Sequence, residues 1–292
     1  VVSAADLDGL VLDLRLLLTL VESSLRRATM NQGGLTSAQD FTMTTHLYCV
    51  LPHHHLRGSV PRGLNGVSGG AVRALSLEGL VAWVSDIRQG VPISIDGVKA
   101  HDAVVEAALE TGSTPVPARF GQRFENDEAC RAALASRAPS VESLLETMQG
   151  LVEMSVIIAP STTRMIGDLE PLLPEMLGVE TGAADPQYLT TLRKRELRTG
   201  EINRLTDVIA AELSEAAGPY VQRAMVHQTA TPLPLRTVSH LVKRSDLDAY
   251  RAAVSGVRSG DGFRLLFIGP RAPYSFCALT AEGGAHGMNL AD

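Results

Sequence analysis

Two sets of strand and helix signals lie on either side of one proline-punctuated stretch, residues 159–186 (APSTTRMIGDLEPLLPEMLGVETGAADP). This stretch constrains the chain more than any other feature. Proline fixes φ, lacks an N–H and pushes its predecessor out of the helical region. Pro160, Pro171, Pro174 and Pro186 therefore leave little room for a regular element and predict a domain boundary. At 292 residues there is length for two domains. Hydrophobic residues at 45% and charged residues at 20% can build a buried core in each.

Element signals read as α+β on both sides. HLYCVL (46–51) has the apolar run of a buried strand, and GLVAWVSD (79–86) is a second, with AVRALSL (71–77) placed to form a hairpin with it. KAHDAVVEAALETG (99–112) carries Val104, Val105, Ala108 and Leu109 on one helical face, closed by Gly112. TPVPARF (114–120) is extended. Ser140 is placed to cap a helix bearing Val141, Leu144, Leu145 and Met148, and LVEMSVII (151–158) is a strand. This order predicts a ferredoxin-like, mainly antiparallel sheet with helices over 44–160, followed by a connector at 161–186. Beyond it, a helical tract over 186–227 broken near Gly218–Pro219, a strand at LRTVSHLVKR (235–244), a helix opened by a capping box at Ser245–Asp248, and closing strands GFRLLFIG and YSFCAL predict a helical α+β domain with a small sheet over 187–280. Residues 281–292 form a tail.

Residues 1–28 carry Leu7, Leu10, Val11, Leu14, Leu17, Leu18, Val21 and Leu25 at helical spacing, interrupted at Gly9, and residues 29–43 read as a linker. The opening VVSAADLDGL lacks the positive n-region of a signal peptide, and no run of about 18 apolar residues predicts a membrane span.

Composition narrows the function classes. A net charge of −6 disfavours a general electrostatic grip on nucleic acid or anionic lipid, and aromatics at 4% offer no stacking platform for single strands. Cys49, Cys130 and Cys277 are odd in number and far apart, which fits free thiols in a reducing, cytoplasmic setting. His53-His54-His55 is the loudest polar cluster, but consecutive side chains alternate in a strand and no metal-site spacing accompanies them; they read as a solvated loop. The Gly-rich stretches 63–70 and 283–287 match neither a P-loop nor a dinucleotide fingerprint and read as turns. No nucleophile motif surrounds any Ser or Cys, and Cys277 reads as a small core residue. Arg193-Lys194-Arg195 with Arg198 and Arg204, balanced by Glu196 and Glu201, reads as a solvated helix face. No cofactor or metal is expected.

Four segments carry a resemblance. HLYCVLP with ALSLEGLVAWVSDI resembles the opening strands of the gas vesicle GvpL/GvpF family, and AHDAVVEAALETGSTPVPARFGQRFENDEACRAAL resembles its best-marked block, a His-bearing helix, a Pro-flanked extended stretch and Arg119-Phe120-Gly121 before an acidic helix start. DPQYLTTLRKRE is similar to that family's Tyr-Leu helix. SHLVKRSDLDAYRAAV and LLFIGPRAPYSFCAL resemble its C-terminal strand, helix and Gly-Pro ending, here Gly269, Pro270, Pro273, Tyr274, Ser275 and Phe276, with Arg271 and Ala272 where the pattern has Trp and Pro. The similarity runs from about 45 to 280. Residues 1–28 separately resemble part of the small GvpA/GvpJ shell proteins, which would make Leu7–Leu12 a strand and start the helix near Leu14.

The resemblance implies an accessory protein located at the gas vesicle. It would take part in assembly by binding the shell protein or other accessory proteins, with neither nucleic acid nor membrane as partner. The motif residues Arg119 to Gly121 and Gly269 to Phe276 would be structural or interfacial. The alternative is an enzyme or small-molecule binder on the same scaffold, with a pocket near Arg119 that draws on His101, Arg123 and Tyr274.

Overall fold

The structure, a computed structural model, describes residues 42–53, 60–91, 94–161, 186–229, 235–258 and 262–277. The segment 1–28, nearly all of the 29–43 linker, most of the connector and the 281–292 tail lie outside these residues, as do His54 and His55.

The chain divides into two units, one comprising the described residues up to Gly150 together with those from Ala272, the other Leu151–Arg271. The first contains β1 (Met43–Pro52), β2 (Arg73–Ser76), β3 (Leu80–Arg88), α1 (Ile95–Glu110), β4 (Val116–Pro117), β5 (Arg123–Phe124), α2 (Asp127–Ala135) and α3 (Ala138–Met148). Its sheet runs β2-β3-β1-β4, with β5 also paired to β1 and every pairing antiparallel. Because β3 lines the whole of β1 on one side, β4 and β5 follow one another along its other side, with Ala118–Gln122 between them. β1 is the central strand, touched by all three helices, which explains its unbroken burial from Thr45 to Leu51. Tyr48, Val67, Trp83, Val104, Val105 and Ala108 form its core, each large side chain stabilising the unit by about 1.5–3 kcal/mol.

The second unit contains β6 (Leu151–Pro160), α4 (Pro186–Ala217), β7 (Val221–Thr229), β8 (Leu235–Lys243), α5 (Leu247–Ser255) and β9 (Phe263–Arg271). Its antiparallel sheet has the order β7-β8-β6-β9. Ile202, Ile209, Leu213 and Ala217 recur along one face of α4 and meet Val156, Ile158, Val238 and Val242 of the sheet, with Tyr250 and Val254 of α5 closing the same core.

Five sequence expectations are corrected. Leu151–Pro160 was expected in the first sheet; it pairs with β8 and β9, so the division falls at Gly150/Leu151, ahead of the expected connector. An apolar run announces a buried strand but not which long-range partner it takes. The helical tract expected to reach 227 ends at Ala217: Gly218–Tyr220 form a 3-10 turn at Pro219, and Val221–Thr229 is an edge strand. The N-cap of α3 is Arg137, with Pro139 in the first turn, so Ser140 is not its cap, and the expected box at Ser245–Asp248 straddles a 3-10 turn (Arg244–Asp246), in which Ser245 donates to Asp246, and the start of α5. YSFCAL is no strand where it is described: Phe276 and Cys277 donate their N–H groups to the Pro273 carbonyl in a turn.

Candidate functional site

The Arg119-Phe120-Gly121 motif occupies the break between β4 and β5. Ala118 still donates to the Tyr48 carbonyl at 2.8 Å, and β1 resumes contact through Leu47 N–H to the Gln122 carbonyl at 3.1 Å. Gly121 turns the chain with φ +90, a region costly for any residue with a Cβ. Arg119 points to solvent and Phe120 is half-buried. The ring of Phe120 lies 5.7 Å from that of His101 and 5.9 Å from that of His46. Gly97 makes room for it, since a Cβ there would sit 3.2 Å from Phe120 Cζ.

Beneath that ring is a closed chain of polar groups. His101 Nε2 is 3.0 Å from the Ala118 carbonyl, which can only accept, so Nε2 carries the proton. The Nδ1 of neutral His101 must then accept from His46 Nε2, 2.9 Å away, which leaves His46 Nδ1 buried with no partner. Burial, His101 and Arg123 lower the pKa of His46 to about 3, and burial also lowers that of His101 against the Ala118 bond. Beside them Tyr48 OH takes the Val67 N–H at 2.8 Å and meets Ser85 Oγ at 2.7 Å. The Gly-rich stretch 63–70 is thereby assigned. Gly66 wraps the Tyr48 hydroxyl so closely that no side chain fits, and Gly70 packs on Asp86 and Ser85. The stretch read as a turn thus brings its backbone close to a tyrosine.

The Gly269–Phe276 ending also sits at an interruption. The β6–β9 register shifts between Glu153 and Ser155, opposite Gly269 (φ +124), whose Cβ would lie 2.6 Å from the Glu153 carbonyl oxygen. The Gly269–Pro270 peptide is cis. Arg271 donates to the fully buried Glu153 at 2.9 Å, and Ser155 and Ser239 donate to the same carboxylate oxygen. Arg271 is thus tied inward, where the family pattern has a tryptophan. Ala272, Pro273, Phe276 and Cys277 are buried, and Tyr274 and Ser275 are half-buried. Ala272 and Tyr274 join the core around Tyr48 and Trp83.

Sequence reading missed three features. Arg73 forks onto both oxygens of Asp127 at 2.7 Å and also pairs with Asp86, while Thr45 donates to Asp127 at 2.8 Å; Arg73 holds the Asp127 carboxyl below its usual range. His240 meets Tyr250 OH at 2.9 Å in the second core, with its pKa lowered to about 4 by burial. Glu153 was read only as part of a strand. The nearest signal was the lone charge in LVEMSVII. His53 is exposed, and no group of three metal-ligating side chains occurs among the described residues. All three thiols are buried; burial pushes Cys130 up to about 12 and Cys49 higher, so neither is a thiolate at neutral pH. No helix among the described residues is long and apolar enough to cross a membrane.

The motif residues of both units therefore lie where an edge strand of an antiparallel sheet is interrupted. A family profile described as "Gas vesicle synthesis protein GvpL/GvpF" matches residues 44–278, and the chain belongs to that family. It is 24% identical over 251 residues to gas vesicle protein L2 of Halobacterium salinarum, covering 79% of this chain and 90% of the relative. To gas vesicle protein L of a Streptomyces species it is 26% identical over 246 residues, covering 77% and 90%. The crystal structure of the gas vesicle protein GvpF from Anabaena shares the fold with a TM-score of 0.60 at 18% identity, over 82% of this chain and 99% of that one. These matches support an accessory role in gas vesicles.

Proposed function

We propose that this protein acts in gas vesicle assembly by binding the shell protein or fellow accessory proteins, without catalysis, nucleotide or metal, and that it works at the vesicle from the cytoplasmic side. The family match over 44–278 carries the reading. Internal bonding of buried polar groups supports it: His46, His101 and Glu153 bond to backbone and side chains of the fold itself. A shell subunit needs an apolar gas-facing surface, and a protein offering strand edges and apolar side chains can escort it. The outer edge of β7, which no described strand pairs with, carries Val226 half exposed and is such a surface. In fold terms we read the first unit as ferredoxin-like, and the second unit shares its strand order.

Deletion of the encoding gene in a vesicle-forming host tests the reading. Vesicles should be lost or malformed and return with the wild-type chain. Undisturbed vesicles in the deletion strain would contradict it.

A further inference from the structure

Every residue of the Arg119–Gln122 turn but one has a task inside the first unit. Gln122 donates its N–H to the Arg119 carbonyl at 3.2 Å, and Gly121 stands third in the turn with φ +90, the pattern of a type II turn. Both ends are pinned. Ala118 donates to the Tyr48 carbonyl and accepts from His101 Nε2, while the Gln122 carbonyl takes the Leu47 N–H. Gly121 supplies the left-handed backbone, Phe120 packs over the histidine pair, and Gln122 is buried.

The Arg119 side chain takes no part in this. It is exposed, and among the described residues its guanidinium has neither a hydrogen-bond nor an ion-pair partner. Other arginines are engaged: Arg73 forks onto Asp127, Arg123 donates to the Val91 carbonyl, and Arg271 pairs with Glu153. The approach is open as well, since a Cβ on Gly121 would meet nothing within 4 Å. A backbone already fixed by the turn leaves only the side chain to be ordered on binding. A guanidinium with its N–H fork unspent matches a carboxylate in shape and charge. The same fork fits a phosphate, but one cation on a chain of net charge −6 lacks the basic cluster that grips nucleic acid.

We propose that Arg119 is the residue with which the first unit takes hold of a carboxylate on the gas vesicle shell protein. The proposal rests on the assembly role argued above and adds a contact in the first unit to that of β7 in the second. Charge draws the partner in, and the fork then holds it by two hydrogen bonds. Substitution separates the two effects, because an exposed charge acts on association and a bidentate bond acts on dissociation.

Binding kinetics of the full chain on purified, immobilised shell protein test this. Arg119→Glu should weaken binding at least about tenfold, mainly through slower association. Arg119→Lys keeps the charge and loses the fork, so it should associate within about twofold of wild type and dissociate about two- to fivefold faster. Raising NaCl to about 0.5 M should slow association of the wild type and hardly change that of Arg119→Gln, while the β7 contact keeps the complex together. All three variants should melt with the wild type, because the guanidinium has no described partner to lose. Wild-type binding by Arg119→Glu would overturn the proposal. So would a lowered melting temperature in all three variants, which would assign Arg119 to the fold. Absence of binding by the wild-type chain is a different result: it would remove the shell protein as partner and strike the reading on which the proposal rests.

Discussion

His46 donates from Nε2 to Nδ1 of His101 across 2.9 Å; this bond requires His101 to be neutral, and burial keeps His46 neutral as well. Each ring's unfolded reference is about 6.5, whereas His46 in the fold sits at about 3 and His240, in the second core, at about 4. Their neutral forms therefore contribute stability fully present above pH 6.5 and lost as pH falls toward 4 and then 3. Each such histidine costs about 1.4 kcal/mol per pH unit through that window. Urea midpoints measured between pH 7.5 and 4.5 should fall, and His46→Gln should flatten the dependence of the first unit. A midpoint independent of pH over this range would contradict the neutral pair.

Phe276 is buried, at 9% exposure, while Phe120 is half-buried over the histidine pair. Phe276→Ala should cost about 3–5 kcal/mol in denaturant unfolding, and Phe120→Ala less, about 2–3 kcal/mol. A Phe120→Ala chain with unchanged stability and lost partner binding would reassign that ring to an interface.

Gly269→Ala should destabilise the second unit by at least about 2 kcal/mol. The backbone has φ +124, and the new Cβ would press 2.6 Å from the Glu153 carbonyl oxygen. Gly63→Ala is the control, because it has positive φ but nothing within 4 Å, and it should cost about 1 kcal/mol. Thermal melts of the two variants provide the comparison.

Arg271→Trp, which restores the residue of the family pattern, should cost about 1–3 kcal/mol, because it leaves the Glu153 carboxylate buried without its cation. Glu153→Gln in the same chain should recover part of the loss. Equal stability of Arg271→Trp and wild type would show that the pair contributes nothing.

How much of this was legible follows from range. Apolar runs such as HLYCVL and the 3.6-residue spacing of Val104, Val105 and Ala108 announce their elements locally, and β1 and α1 lie where they were expected. Partner choice is non-local: nothing within Leu151–Pro160 says that it pairs with Leu235–Lys243 rather than with β1. Val221–Thr229 was absorbed into a helix because Arg223, Ala224 and Met225 suit either state, and only pairing with β8 decides. The two family-like motifs were legible as sequence but not as structure. Each marks an interruption in an edge strand, a role with no periodic signature. The histidine pair was hidden because 55 residues separate its members.

The most direct test of the account is co-purification of the full chain with a gas vesicle shell protein, repeated with EDTA, in about 0.5 M NaCl and with Val226→Asp. Binding through apolar surface and a strand edge should survive the chelator and the salt, since screening weakens mainly exposed charge pairs. It should fall at least tenfold in Val226→Asp with the melting temperature unchanged. Loss of binding in EDTA alone would point to a metal, with His53 to His55 the first residues to replace, and turnover of a small molecule would point to an enzyme; either result would contradict the account.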